Sequence, residues 1–232
     1  MKFKINKVMK NIWLFVTCIA LSMSAYSQED DYDMDENIYG DIIPKHSFTI
    51  ELGLPVGTSN KAFQSMMQGL VRISPYYQFT LKNHLAFGIG ANYNYFKVNP
   101  FRVPEKVTGG FHSAGGFVKV GYEKFHSMRF GTDYGLKIGY NSNQFATDSN
   151  ATNLGGPFVD NAFFIEPTIG LVLTSGEFTS YRFVVGYTFS GNDFNTTNLG
   201  IKSSGGYSAS EFSKNTQFMT FGFGFTYYFK QY

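Results

Sequence analysis

From Thr216 to Phe229 the chain alternates without a break: Phe221, Phe223, Phe225, Tyr227 and Phe229 fall on one parity, Thr220, Gly222, Gly224, Thr226 and Tyr228 on the other. Successive side chains of a β-strand point to opposite faces, so this period of two makes one face of a single strand wholly aromatic. A soluble barrel or sandwich turns such a face inward. The direction is set by the sibling strands, whose charged residues must share whichever side is enclosed. Here the charges fall opposite the apolar face, which turns the aromatic face outward, as in a membrane-spanning sheet.

The same alternation occurs eight times. The first strand, Ser47 to Val56, sets Phe48, Ile50, Leu52, Leu54 and Val56 against Thr49, Glu51 and Gly53. The second, Gly69 to Leu81, sets Val71, Ile73, Tyr77 and Phe79 against Arg72, Ser74, Tyr76 and Gln78, and Lys82-Asn83-His84 turns it into the third, Leu85 to Phe96. The fourth, Ser113 to Glu123, places Lys119 opposite Val118 and Val120, with Phe117 breaking the pattern. In the fifth, Met128 to Tyr140, Arg129, Asp133 and Lys137 oppose Phe130, Tyr134, Leu136 and Ile138; the sixth, Ala162 to Leu173, places Glu166 against Ile165 and Ile169; the seventh places Arg182 against Tyr181 and Phe183. Connections after the even strands are turns of a few residues. Those after the odd strands are long: Gly57 to Gln68, Lys97 to His112, Asn141 to Asn161 and Gly191 to Asn215. An even strand count with one short-turn end and one long-loop end predicts an all-β, eight-stranded antiparallel up-and-down transmembrane β-barrel.

Closure follows from the solvent. A backbone group left unpaired in hydrocarbon costs several kcal/mol, so the last strand must pair with the first. Eight strands enclose only enough room for side chains, which predicts a filled interior in which Glu51, Arg72, Lys119, Arg129, Asp133, Lys137, Glu166 and Arg182 neutralise one another, with inward glycines making space. Aromatic residues near strand ends, such as Tyr93, Tyr95, Tyr187, Phe189 and Tyr227, suit belts at headgroup level.

The segment before the barrel reads differently. Residues 1–27 carry Lys2, Lys4, Lys7 and Lys10, an apolar run from Ile12 to Met23, and the small-x-small ending Ala25-Tyr26-Ser27, the pattern of a secretory signal peptide. Without it, the 15 basic and 17 acidic residues that remain give a formal charge of −2. The basicity of the whole chain therefore belongs to the signal, and no basic face for nucleic acid is expected. Cys18, the sole cysteine, lies in the signal, so the remainder has neither disulfides nor thiol chemistry. Residues 28–46 form a leader with six acids between Glu29 and Glu36, read as a solvated tail. Residues 47–232 form the barrel domain.

At this point the chain resembles the small eight-stranded outer-membrane proteins of the OmpA/OmpX type and the PorT-like outer-membrane β-barrel proteins of Gram-negative bacteria. The resemblance rests on Ala25-Tyr26-Ser27 before Gln28, the Gly-aromatic hairpins and the terminal run Phe221 to Phe229, which looks like the signal read by the barrel-assembly machinery; Lys230-Gln231-Tyr232 after it depart from that pattern. It implies the cell outer membrane as location, with outer-membrane lipid, lipopolysaccharide and the assembly machinery as partners, as a monomer. The PorT likeness adds an accessory role in outer-membrane assembly or protein secretion as an alternative.

Chemistry is sparsely encoded. There is no GxSxG, HExxH, P-loop or CxxC spacing, and no cofactor or metal is expected. His46, His84, His112 and His126 are scattered. His112-Ser113 and His126-Ser127 raise a lipid A-modifying enzyme as an alternative, although adjacent strand residues face opposite ways. Asp148, Asn150 and Asp160 could ligate Ca²⁺ but lack EF-hand spacing. The leading expectation is a non-enzymatic barrel with a structural or surface-interaction role, its loops contacting an extracellular protein or ligand. A soluble carrier of lipocalin shape would instead bury the aromatic faces, leaving Arg72, Lys137 and Arg182 outside.

Overall fold

The computed structural model describes residues 46–103, 107–127, 129–176, 178–202, 206–212 and 215–229. The expected signal peptide, nearly all of the acidic leader, and Lys230-Gln231-Tyr232 lie outside these residues. Eight strands follow in order: β1 (His46–Gly57), β2 (Met67–Thr80), β3 (Leu85–Val98), β4 (Gly109–Phe125), β5 (Phe130–Thr147), β6 (Phe158–Gly176), β7 (Thr179–Asp193) and β8 (Asn215–Tyr228). Each is antiparallel to its sequence neighbours, and β8 returns to β1 with Ser47 opposite Tyr228 and Leu52 opposite Phe223. The sheet is a closed barrel.

Sidedness follows the alternation. Leu52, Ile89, Phe163 and Phe223 are exposed on the outer wall, at 54%, 66%, 71% and 71%. Arg72, Lys137 and Arg182 are buried inside. That excludes the inverted, carrier-like arrangement, because a water-soluble barrel would not bury its charges and expose its aromatics. Among the described residues no helix is long and apolar enough to cross a membrane; the crossing elements are the strands.

The strands run further toward the long-loop end than the sequence suggested. β5 continues from Tyr140 to Thr147, β4 begins at Gly109, and β6 begins at Phe158. The Asn- and Ser-rich run Asn141-Ser142-Asn143-Gln144 reads as a loop by composition. It is nonetheless strand, because it pairs with His112 to Gly115 of β4 on one side and with Val159 to Ala162 of β6 on the other. Alternation persists there with different content: Asn141, Asn143, Phe145 and Thr147 are buried inside, while Gln144 and Ala146 are exposed outside.

The remaining loop residues fold over the barrel mouth. Four short helices, α1 (Lys61–Met66), α2 (Asp148–Leu154), α3 (Thr196–Leu199) and α4 (Ala209–Phe212), lie in the connections of this end. Phe63 of α1 is fully buried, with its ring 5.1 Å from that of Phe96 and 5.2 Å from that of Phe194. Phe111 stacks on Phe145 at 4.6 Å, and Phe218, Leu199, Ile201 and Phe212 complete one apolar cluster. Buried polar side chains fasten its parts. The Asn60 side chain accepts from the Phe63 N–H at 3.1 Å, capping α1, and donates to the Phe212 carbonyl at 2.8 Å and the Phe194 carbonyl at 3.3 Å. Asn60 adopts φ 56°, a region asparagine tolerates better than most residues. Asn150 likewise donates to the carbonyls of Phe145 and Asn198.

Candidate functional site

The enclosed volume is filled by four layers, from paired charges at the turn end to an apolar cluster at the loop end. Nearest the turn end, the Asp133 Oδ2 accepts from Lys119 Nζ at 2.6 Å and from Arg182 Nη1 at 2.9 Å. Arg182 also contacts Glu123 and donates from Nε to Thr226 at 2.7 Å. Gln78 bridges Lys119 and Glu123, accepting from Lys119 at 2.8 Å and donating to Glu123 at 2.8 Å. A second group sits beside it: Arg72 Nη2 donates to Glu166 at 2.6 Å, and Lys137 Nζ lies 2.5 Å from Glu51 and 3.8 Å from Glu166. The Tyr76 ring lies between the groups, 4.7 Å from Lys119 Nζ and 5.2 Å from Lys137 Nζ, so both ammonium groups face aromatic π density.

Of the eight expected interior residues, the barrel brings together Glu51, Arg72, Lys119, Asp133, Lys137, Glu166 and Arg182. Arg129 is not among them. It shares their parity, but β5 begins only at Phe130, so Arg129 stands exposed in the turn beyond the barrel wall. A residue outside the expected eight, Glu123, joins the network as counter-ion to Arg182, its side chain 1% exposed. Four cations (Arg72, Lys119, Lys137, Arg182) thus meet four anions (Glu51, Glu123, Asp133, Glu166). Their length is accommodated by inward glycines: a Cβ on Gly135 would stand 2.7 Å from Lys119 Cε and 2.7 Å from Thr168 Oγ1.

Phe117, which broke the alternation, faces inward and forms a small aromatic layer with Tyr76 and Phe164. Toward the mouth lie Asn92, Asn94, Asn141 and Asn143, all nearly or fully buried. Asn141 donates to Ser113 at 2.9 Å. Several of their amide atoms, including both of Asn143, have no hydrogen-bond partner among the described residues. Buried amides of this kind are usually satisfied by ordered water. The apolar mouth cluster lies beyond them at the loop end. A small crevice lies beside Glu51, Arg72, Glu166 and Thr220.

Sequence reasoning missed this apolar layer. The signal was present in Phe96, Phe111, Phe145 and Phe218, each of which falls on the inward parity of its strand while the charged positions nearby predict a polar interior.

The other candidate residues are dispersed. His112 faces outward, its Nδ1 2.8 Å from the Tyr93 hydroxyl, while neighbouring Ser113 faces inward. His126 contacts Thr132 at 2.9 Å. His46 meets the Tyr77 hydroxyl. Among the described residues no three His, Cys, Asp or Glu side chains gather as metal ligands. Asp148 serves the loop instead, accepting from the Thr108 N–H at 3.0 Å and its hydroxyl at 3.1 Å, and Asn150 holds α3 as above.

Solved structures place this arrangement. Neisserial surface protein A (NspA) superposes with a TM-score of 0.52 at 13% identity, covering 80% of this chain and 97% of that one. A major outer membrane protein from Thermus thermophilus gives a TM-score of 0.50 at 10% identity, covering 79% and 99%. The fold is that of the small eight-stranded outer-membrane barrels. No family model matches the sequence, and no curated protein matches it. At these identities the likeness concerns the barrel, not its task.

Proposed function

We propose that the protein is a non-enzymatic barrel of the cell outer membrane that displays a structured surface at its loop end. One observation carries this reading: the loops do not hang free of the barrel but share an apolar core with its mouth, through Phe63, Phe194, Leu199 and Phe212. A surface built on such a core is held in one shape before any partner arrives, which lowers the ordering cost of binding. The filled interior supports display over transport, since the paired charges and the aromatic layers occupy the space a solute would need. The separation of His112 from Ser113 across the β4 wall gives the lipid A-modifying alternative no shared reaction geometry.

The test has two parts. Membrane fractionation and heat-modifiability on a gel check the barrel and its location: a band that co-fractionates with outer membrane and shifts on boiling is expected, and a soluble, unshifted band overturns the reading. Removal of residues 59–65 or 195–212 then checks the loops. Loss of surface binding with lipid A mass and bulk protein export unchanged supports display; loss of export instead favours the secretion-accessory role.

A further inference from the structure

Among the described residues, the two ends of the barrel differ in charge as well as in loop length. Among the described carboxylates, Glu51, Glu123, Asp133 and Glu166 are enclosed, and Asp148, Asp160, Asp193 and Glu211 lie at the loop end. No exposed carboxylate among the described residues stands at the turn end. That end carries Lys82 and His84 between β2 and β3, Lys124 and His126 at the end of β4, and Arg129 before β5.

The two turns that carry them are neighbours, since β3 pairs with β4. The Glu123 N–H donates to the His84 carbonyl at 2.9 Å, and the His84 ring lies 5.5 Å from that of Tyr122. Leu85 pairs with Tyr122 across the strands, and both face outward. Lys124 is the next outward position after Tyr122, and Arg129 directly precedes outward-facing Phe130. Each cation therefore begins one or two residues, about 3–7 Å at the rise of a strand, past the lipid-facing wall. That is the depth of phosphate groups, and Tyr77, Tyr122 and Phe130 flank the patch as an interfacial belt would.

We propose that Lys82, His84, Lys124, His126 and Arg129 form a binding patch for the phosphates of anionic phospholipids in the leaflet at the turn end. The proposal rests on the membrane-barrel reading above. A rim of cations continuous with the lipid-facing wall fits headgroups standing in that same surface.

The test uses refolded protein in bilayers of phosphatidylcholine with spin-labelled phosphatidylglycerol or spin-labelled phosphatidylcholine, after the gel shift has established insertion for every variant. The unaltered protein is expected to select phosphatidylglycerol, with the preference falling about fivefold per removed cation in Lys82→Gln, Lys124→Gln and Arg129→Gln, singly and combined, and falling in high salt. A control carrying Lys97→Gln, Arg102→Gln and Lys202→Gln at the loop end is expected to keep the preference. Equal binding of both lipids by the inserted, unaltered protein overturns the proposal, as does an equal loss in the control. Saturable binding of a poly-glutamate peptide at the turn end without lipid preference overturns it in favour of a protein partner. Failure of insertion itself, read by the gel, is a failure of the barrel reading instead.

Discussion

Asp133 holds two cations on one oxygen, Lys119 at 2.6 Å and Arg182 at 2.9 Å. Neutralising it leaves the buried Lys119 without a carboxylate partner, while Arg182 keeps Glu123, and breaking a buried pair from one side costs about 3–5 kcal/mol. Asp133→Asn is expected to lower unfolding stability by that amount in urea titrations of the vesicle-inserted protein, while Asp148→Asn at the loop end has a small effect. His84 belongs to the opposite regime. Its pKa is held below the ordinary histidine value, first by partial burial and then by the Lys124 ammonium. A histidine whose folded-state pKa is depressed contributes stability above its unfolded pKa, near 6.5, and loses it as pH falls through the lower folded value. Lys124→Gln is expected to raise the His84 pKa, read by NMR titration of its ring protons; no change would remove Lys124 as a cause.

Among the elements, α1 is the one whose role the sequence concealed. Its six residues carry no amphipathic stripe long enough to notice, and the run Gly57 to Gln68 scans as a loop. What makes it structural is tertiary: Phe63 finds Phe96 and Phe194, residues far away in the chain. Phe63→Ala is expected to remove about 3–5 kcal/mol from the docking of this segment. Hydrogen exchange and proteolysis should then accelerate within residues 58–66, with the heat-shifted band unchanged. A loss of the band as well would show that the mouth core supports the barrel itself. Strands were the legible elements because lipid on one side and charge on the other enforce a strict period of two. Their outer ends were illegible where that contrast fades: Ser142 and Gln144 face outward above the apolar band, so composition mimicked a loop. Arg129 failed for the opposite reason, since parity alone does not reveal where a strand stops.

For the whole molecule, the stacking of paired charges, an aromatic layer, buried amides and an apolar mouth predicts a barrel that does not conduct. Planar-bilayer recordings of the unaltered protein are expected to show no stepwise current. Phe63→Ala is expected to stay silent too, because loosening the mouth leaves the Arg72–Glu166 and Arg182–Glu123 layers in place; discrete steps in that variant would mean the mouth alone is the barrier. A shared property of these ion pairs reaches beyond permeation. Lys137 and Glu51 come from β5 and β1, Arg72 and Glu166 from β2 and β6, Arg182 and Glu123 from β7 and β4. None of these three pairs joins adjacent strands, whereas Lys119–Asp133 and Lys137–Glu166 do, so a single hairpin can form part of the network but not all of it. A sheet that had not yet closed would leave Glu51, Arg72 and Glu123 without the partners they have in the barrel. Only the completed cylinder therefore gives every one of these interior charges its partner from across the barrel.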